Sequence, residues 1–339
     1  MTHDPPARRG SPRVTPLVAL TVLLLLAIVL AIRVGAVGID TAAVVRALLG
    51  DDGGTTGAIV RRLRAPRALQ AALTGGALAL AGTCYQALLR NPLADPYTLG
   101  ITSGASLGAV LAVVLGLATF GVWTLPVAGL VGALLALVLV IRVAYAADGV
   151  LDRRTMLLSG IAVGSFSGAL VMLIVSLADD QSYRTAMFWI MGTLAGATWE
   201  QVVLLAAVLA AAALALLPQA RALNLLAIGE STAATLGVEV ERAKWTTLLV
   251  ASALTAAAVA VAGTVGFVGL VIPHMLRLLW GSDHRLLLPA SVLAGASFVV
   301  LADLAARTVV APSELPLGVI TALVGVPVFV VLLRRRSPT

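Results

Sequence analysis

The sequence predicts an all-α, polytopic membrane protein, and three observations support this fold class. Of the 339 residues, 60% are hydrophobic and only 12% are charged. Soluble domains carry about 25% charged and about 45–50% apolar residues. The mean hydropathy is +1.04, and the charged residues are separated by apolar runs of roughly the 20 residues that a helix needs to cross a bilayer. The composition therefore excludes an ordinary soluble domain.

About ten membrane helices are predicted between these charges, forming one transmembrane domain over residues 17–333 with tails at 1–16 and 334–339. The first helix covers 17–33. The others lie from Arg67 to Arg90, in pairs within Asp95 to Arg142 and within Lys244 to Arg277, and from Arg154 to Asp179, Glu200 to Arg221, Arg285 to Asp303 and Glu314 to Arg334. An even number of spans places both termini on one side of the membrane.

The distribution of basic residues predicts the orientation. Most of the 23 Lys and Arg residues, including those of both tails, fall on the side of the termini, which is therefore expected to be cytoplasmic. The net charge of +7 thus reflects membrane insertion and does not indicate nucleic-acid binding. The exception is RRLRAPR, Arg61 to Arg67, on the outer side. This cluster indicates either lipid-headgroup binding or docking of an acidic partner.

Two features that the sequence lacks bear on the transport mechanism: an ionisable residue in the middle of the spans and a phosphate-binding loop. No Asp, Glu, His or Lys lies in the middle of a predicted span, whereas ion-coupled carriers usually place one there. The single lysine, Lys244, is not part of a phosphate-binding G-x-x-x-x-G-K-[ST] loop, so any ATPase is expected to be a separate subunit. An ion-coupled secondary transporter and a non-transporting membrane scaffold or receptor are the alternative classes.

Several sequence runs resemble one transporter family. In AGTCYQALLRNPLADPYTLGITSGAS, Ala81 to Ser106, an apolar helix ends at Arg90 and a stiff proline-containing turn leads into the next helix. Near the C-terminus stand GFVGLVIPHMLRLLWGSDHRLLLPASVLAGA, ADLAART and ELPLGVITALVGVPVFVVLL. These runs are similar to those of the FecCD-type permeases, the membrane subunits of ATP-driven importers for ferric siderophores, haem and cobalamin.

The resemblance implies a set of partners and a location. Two ATP-binding-cassette ATPase subunits, an extracytoplasmic substrate-binding protein and a second copy or a similar permease are expected, in the cytoplasmic membrane of a bacterium. A ferric siderophore is the expected substrate on the breadth of the family alone, with haem or cobalamin as alternatives. No cofactor or metal is expected, because His274 and His284 have no third ligand nearby and should instead stabilise loop and helix-end structure.

The resemblance also implies roles for two groups of residues. Arg64 and Arg67, in an RAPR sequence similar to the family's RLPR element, and Arg307, in ADLAART, are expected to dock the binding protein. Asn91 and Leu93 are expected to close the cytoplasmic end of the path as a gate. The alternative is that their turn only holds the second and third helices together.

Coupling to the ATPase is assigned to the longest cytoplasmic loop, residues 218–243. Its GESTAATLG run predicts a short helix with Ser231 as a cap, and this run resembles the family's coupling helix. The coupling residues are Gly229, Glu230, Ser231, Ala234, Leu236 and Gly237. A surface helix without a partner is the alternative.

Glycine spacing suggests where the path runs. The fifth predicted span matches the family helix that lines the path, and its candidate lining residues are Gly160, Gly164, Ser167 and Gly168. Small residues four apart also let helices approach closely in lipid, so packing alone is the alternative.

Overall fold

A computed structural model describes residues 14–35, 38–50, 54–148 and 152–334. The described chain is helical, without β-strands in these ranges, and the predicted tails fall outside it over residues 1–13 and 335–339. Its α-helices are α1 Val14–Arg33, α2 Thr41–Leu48, α3 Thr55–Ala58, α4 Ala65–Leu88, α5 Ile101–Val114, α6 Thr124–Asp148, α7 Arg153–Ser176, α8 Asp180–Met191, α9 Trp199–Leu216, α10 Ala220–Ile228, α11 Glu230–Thr235, α12 Val240–Ala262, α13 Val268–Trp280, α14 His284–Ala306 and α15 Leu317–Arg334.

A helix occupies each of the ten predicted positions, as α1, α4, α5, α6, α7, α9, α12, α13, α14 and α15. Six helical segments in the described chain are long and apolar enough to cross a membrane: α1, α6, α7, α9 with α10, α12 and α14. Three more, α5, α13 and α15, are apolar over shorter stretches. The ten-span count and the cytoplasmic location of the termini therefore stay predictions.

The sequence did not predict the elements between the long helices. A twelve-residue helix, α8, fills the connection between α7 and α9. The expected loop 218–243 is mostly helical, because α10 follows α9 after a single turn and α12 begins at Val240. Ser231 is not a cap, because Gly229 occupies the N-cap position of α11 without a side-chain cap bond and Ser231 lies within the first turn.

Helix α4 forms the centre of the bundle. Almost all of its residues are buried, and it packs against α1, α9, α12, α13 and α14. Two glycine pairs let its backbone touch its neighbours. A Cβ atom on Gly75 would lie 2.1 Å from the Gly295 carbonyl oxygen, and one on Gly82 would lie 2.1 Å from that of Gly269. Such contacts replace the hydrophobic force that lipid cannot supply between helices.

The two ends of α4 define two ends of the molecule. The arginine end holds Arg64, Arg67 and Arg307, which lie near the start of α4 and the end of α14. The loop end holds α10 and α11 and the turn that follows α4. The predicted docking residues and the predicted coupling and gate residues therefore lie at opposite ends.

Three arginines, whose side chains are mostly covered, join four elements at the arginine end. Arg67 binds the Asp303 carboxylate through bonds of 2.9–3.1 Å and the Glu314 carboxylate through bonds of 2.8 and 3.0 Å. Arg307 lies 3.5 Å from the same Asp303, whose side chain is only 2% exposed. Arg64 donates two 2.9 Å bonds to the last carbonyls of α1, which have no partner within the helix. The arginines thus compensate a buried carboxylate and cap α1.

Removal of Arg67, which leaves the buried Asp303 charge less compensated, should cost far more stability than removal of the Glu314 charge. Arg67→Met should lower the free energy of unfolding by about 3–5 kcal/mol, because it leaves Asp303 buried with less compensation. Glu314→Gln is the matched control and should cost about 1 kcal/mol or less, because Glu314 is exposed. Denaturant unfolding of the purified variants in detergent measures both. Equal losses would show that Asp303 does not depend on Arg67.

Candidate functional site

The gate turn, residues 91–95, is held in shape by its own hydrogen bonds. The Asn91 Oδ1 atom accepts a 2.9 Å bond from the Leu93 amide, and the Asn91 carbonyl accepts a 3.0 Å bond from the Ala94 amide. Asp95 then caps a single helical turn, Pro96–Leu99, that precedes α5. The Asn91 side-chain oxygen is thus used within the turn, while the side chain of Leu93 is 45% exposed.

A cavity of about 650 Å³ adjoins the gate turn. Leu93 forms one wall, and the other walls come from the end of α8, the start of α13 and α15. We call this the main cavity. Its full lining is Leu93, Asp95, Tyr97, Thr98, Ile190, Met191, Thr264, Gly266, Phe267, Leu270, Gly318, Val319, Ala322 and Leu323. Most of these side chains are apolar, so the cavity offers few directed polar contacts.

Backbone hydrogen bonds brace the walls of the main cavity. The Thr193 amide donates a 2.9 Å bond to the Ala262 carbonyl, and the Leu317 amide donates a 3.0 Å bond to the Gly192 carbonyl. These bonds join the end of α8 to the end of α12 and the start of α15. Phe267, at the start of α13, has a φ of 67°. A non-glycine residue in this left-handed region costs of order 1–3 kcal/mol, and such strain is concentrated at functional sites.

None of the four predicted lining residues borders the main cavity. Gly160 allows α7 to approach the turn before α5, since a Cβ atom there would lie 2.2 Å from the Thr98 carbonyl oxygen. Gly164 faces Gly100 at ordinary contact distance. Gly168 lines a neighbouring cavity of about 310 Å³, and Ser167 lines a third one of about 350 Å³.

Sequence reasoning missed the residues that line the main cavity from outside the long helices. Tyr97 and Thr264 border both the main cavity and the cavity beside Gly168. Thr264 and Phe267 lie in the five-residue connection between α12 and α13. The glycines Gly263 and Gly266 were the available signal, because they mark a break in an otherwise apolar run.

At the loop end, α11 presents most of its surface outward. Ala233 is its buried residue, whereas Ser231, Ala234, Leu236 and Gly237 are exposed. The helix ends in a left-handed glycine, because Gly237 has a φ of 82° and its amide donates a 3.0 Å bond to the Ala234 carbonyl. The expected coupling residues thus form a short, solvent-facing helix.

One buried lysine anchors α11 to α12. Lys244 lies 3.3 Å from the Glu230 carboxylate and 3.0 Å from that of Glu241. The side chain of Lys244 is 8% exposed, so the single lysine of the chain is almost wholly covered by this contact.

At the arginine end, the expected docking arginines already have carboxylate or carbonyl partners within the chain. Arg64 is buried, and the side chains of Arg67 and Arg307 are only 13% and 9% exposed, so most of the surface of these three arginines is covered by contacts within the chain. Burial lowers the pKa of Arg307, and the hydrogen bond from Arg67 holds the pKa of the Glu314 carboxyl below its usual range. Within Arg61 to Arg67, Arg62 is the arginine that is exposed.

The histidines have structural contacts. The His284 Nδ1 atom lies 2.7 Å from the Asn224 side-chain oxygen, which joins the start of α14 to α10. His274 is buried within α13, with its ring edge-on to Phe329. In the part of the chain that the structure describes, no three His, Cys, Asp or Glu side chains come together as a metal-binding group.

Comparison with known proteins agrees with this architecture. The model of the FecCD transport family matches residues 23–335. The chain is 43% identical to the uncharacterized ABC transporter permease protein YvrB of Bacillus subtilis, over 92% of this chain and 91% of that protein. It is 41% identical to the hemin transport system permease protein HmuU of Yersinia pestis, over 81% and 82% of the two chains.

A vitamin B12 import permease and a solved transporter extend the match. Identity to the vitamin B12 import system permease protein BtuC of Escherichia coli O127:H6 is 40%, over 94% of each chain. An ABC transporter assigned to the metal-chelate type, solved in an inward-facing conformation, superposes with a TM-score of 0.83 at 30% identity. That superposition covers 95% of this chain and 99% of the other. This chain therefore belongs to the FecCD transport family and is a multi-pass permease, in the cytoplasmic membrane, of an ATP-binding-cassette importer.

Proposed function

We propose that this permease imports a metal ion enclosed in a large organic chelate, specifically a ferric siderophore. The main cavity carries the proposal, because about 650 Å³ of mostly apolar space suits a bulky cargo that must be held weakly and released. Haem or cobalamin is the second candidate, favoured by relatives named for hemin and vitamin B12 transport. All three cargoes share a metal centre wrapped in an organic ligand.

A second permease copy completes the path in this proposal. In a single chain the main cavity is not enclosed, and its walls include residues of α8, α13 and α15. A facing copy, or a similar permease, would enclose it and double the available space. Access then alternates between the arginine end and the loop end, with the loop end in the cytoplasm.

Energy enters through α11, which we assign as the coupling helix. Its exposed residues surround one buried alanine, so the helix has a free face for a groove on an ATPase subunit. The helix is only six residues long, and a helix this short depends on its caps and its partners. Two ATPase subunits, one for each permease, would move two such helices together.

The cap at Gly237 provides the test of coupling. Gly237→Val forces a β-branched residue into the left-handed region at a cost of roughly 1–2 kcal/mol, which should disturb the end of α11 and lower the import per ATP hydrolysed. Gly237→Asn is the matched control, because asparagine tolerates this conformation. Proteoliposomes holding the permease, its ATPase and its binding protein are supplied in turn with a ferric siderophore, haemin and cobalamin. Unchanged import per ATP in Gly237→Val would contradict the coupling assignment.

The gate turn is proposed to close the loop end of the path. Leu93 projects into the main cavity as an apolar plug, and Asn91 fixes the turn through its bond to the Leu93 amide. The neighbouring prolines restrict the backbone further. A stiff turn with one apolar side chain in the cavity can exclude water when two copies meet.

Removing the plug should produce a leak. The double variant Asn91→Ala with Leu93→Ala should raise ATP-independent escape of cargo from proteoliposomes, because both the plug and its support are lost. Leu323→Ala, which shortens another exposed leucine of the same cavity, is the control and should leave the leak unchanged. If the double variant is as tight as the parent, the turn only connects two helices.

The arginine end is proposed to receive an acidic binding protein through Arg64, Arg67 and Arg307. Glu314 already accepts hydrogen bonds from the Nη1 and Nη2 atoms of Arg67. A docking carboxylate must therefore compete with Glu314 for these donors. Glu314 is the most exposed carboxylate of this cluster, at 43%, which makes it the group that a partner could displace. Bidentate arginine–carboxylate geometry would orient the binding protein as well as attract it.

Removing the internal competitor should tighten docking. Glu314→Gln should lower the dissociation constant for the binding protein by about twofold to fivefold, the equivalent of up to ~1 kcal/mol for an exposed pair. Arg62→Glu should weaken docking and its salt dependence, because Arg62 is exposed beside the same surface. Surface plasmon resonance across a salt series measures both. Unchanged affinity in both variants, with changed retention of anionic lipid, would assign the cluster to headgroup binding.

A further inference from the structure

Arg90 has a backbone conformation that arginine rarely adopts. It lies two residues after the end of α4 and has a φ of 46°. Its amide bonds the Ala87 carbonyl at 3.3 Å, and the next amide bonds the Gln86 carbonyl at 3.2 Å. This pattern is the helix ending that usually carries glycine. This backbone conformation favours glycine and does not explain the presence of an arginine. The role of Arg90 must therefore come from its side chain.

The Arg90 side chain caps a different helix. Its Nε atom donates a 2.6 Å hydrogen bond to the carbonyl oxygen of Leu226, in the last turn of α10. Carbonyls in a last turn have no partner within their own helix, and a cation there also complements the helix dipole. Arg90 thus joins the end of α10 to the residue immediately before the gate turn.

Helix α10 is in turn part of one small unit with α11. Leu226 of α10, Ala233 of α11 and Ala243 of α12 form a buried apolar cluster separate from the main core. Only Gly229 lies between the two helices. Movement of α11 is therefore expected to carry the end of α10 with it.

The charge of Arg90 also interacts with charged groups at the starts of α7 and α11. Burial lowers the pKa of Arg90, and so does the positive charge of Arg153 at the start of α7. The Glu230 carboxylate at the start of α11 opposes this and raises the pKa of Arg90. Arg90 thus bonds the end of α10 and interacts electrostatically with the start of α11.

The other polar contacts of this unit lead away from the gate turn. Lys244 joins Glu230 to α12. Asn224 donates a 2.9 Å bond to Asp283 and accepts one from the His284 amide, which joins α10 to the start of α14. These contacts hold the unit on the bundle, whereas the Arg90 contact reaches the gate.

We propose that Arg90 is a positioning residue that transmits displacement of α11, through the end of α10, to the gate turn. This inference rests on the proposed coupling and gate functions. The gate turn is stiff through its Asn91 bonds, so it would move as a unit with the residue before it. A push on α11 would then shift Leu93 without any contact between the ATPase and the gate.

The experiment reports the gate directly. Leu93→Cys is placed in a Cys84→Ala chain, which removes the single natural cysteine. The complete transporter, with its ATPase, is reconstituted in nanodiscs, and crosslinking between the two copies at position 93 is measured with and without a non-hydrolysable ATP analogue. In the parent, the analogue should change the crosslinking rate.

Removing the guanidinium should abolish this response. Arg90→Gly accepts the left-handed backbone and loses the Leu226 bond, so the effect of the analogue on crosslinking should shrink about tenfold, as for loss of a charged hydrogen bond. ATP hydrolysis and thermal stability should be retained. Arg90→Asn, in which asparagine also tolerates this backbone conformation, should show the same reduced response. This variant replaces Arg90→Gly in the experiment if the glycine variant folds poorly. Arg221→Ala removes an exposed charge from α10 and should respond like the parent.

The outcomes separate this inference from the proposed function. If the parent responds and Arg90→Gly responds equally, the role of Arg90 is overturned while gate and coupling stand. If the parent itself does not respond, the gate proposal fails, and the transmission role fails with it. Loss of response together with loss of ATPase binding would make Arg90 a structural anchor of the loop end and would also overturn its role.

Discussion

Direct contact between the α4 backbone and the backbones of α13 and α14 is the constraint on which the rest of the structure depends. The pairs Gly75 with Gly295 and Gly82 with Gly269 leave no room for a Cβ atom. Because α4 packs against six other α-helices, α10 included, its position constrains theirs. The arginine end and the gate turn begin at its two termini, so the same packing sets the distance between these two ends of the molecule.

Charged side chains lie at both ends of this central helix. Several of these side chains are matched by a carboxylate or by helix-terminal carbonyls. Asp303 is compensated by Arg67 and Arg307, and the last turn of α10 is capped by Arg90. Ionic contacts there can be exchanged for contacts with partner proteins, whereas the apolar middle of the bundle keeps its packing. A transporter that alternates access needs this combination of a stable centre and exchangeable ends.

Helix positions were predictable from the sequence because apolar run length and charge placement are local properties. The stiff turn after Arg90 and the helix Glu230–Thr235 were predictable for the same reason, since prolines and glycines act on their own backbone. The environment of the arginines was not, because Arg67 meets Asp303, which is 236 residues away. The main cavity was also missed, since its walls come from the short helix α8 and a connection between helices, where no periodic pattern exists.

We propose that an ATPase acting on α11 opens a path that the gate turn closes. A cryo-EM structure of the permease with its ATPase and binding protein, determined with and without an ATP analogue, tests it most directly. The account predicts two permeases with their main cavities facing each other, α11 seated in an ATPase groove, and the separation of the two Leu93 side chains changing with nucleotide. A complex in which the ATPase contacts other elements and α11 remains exposed in both states would contradict it.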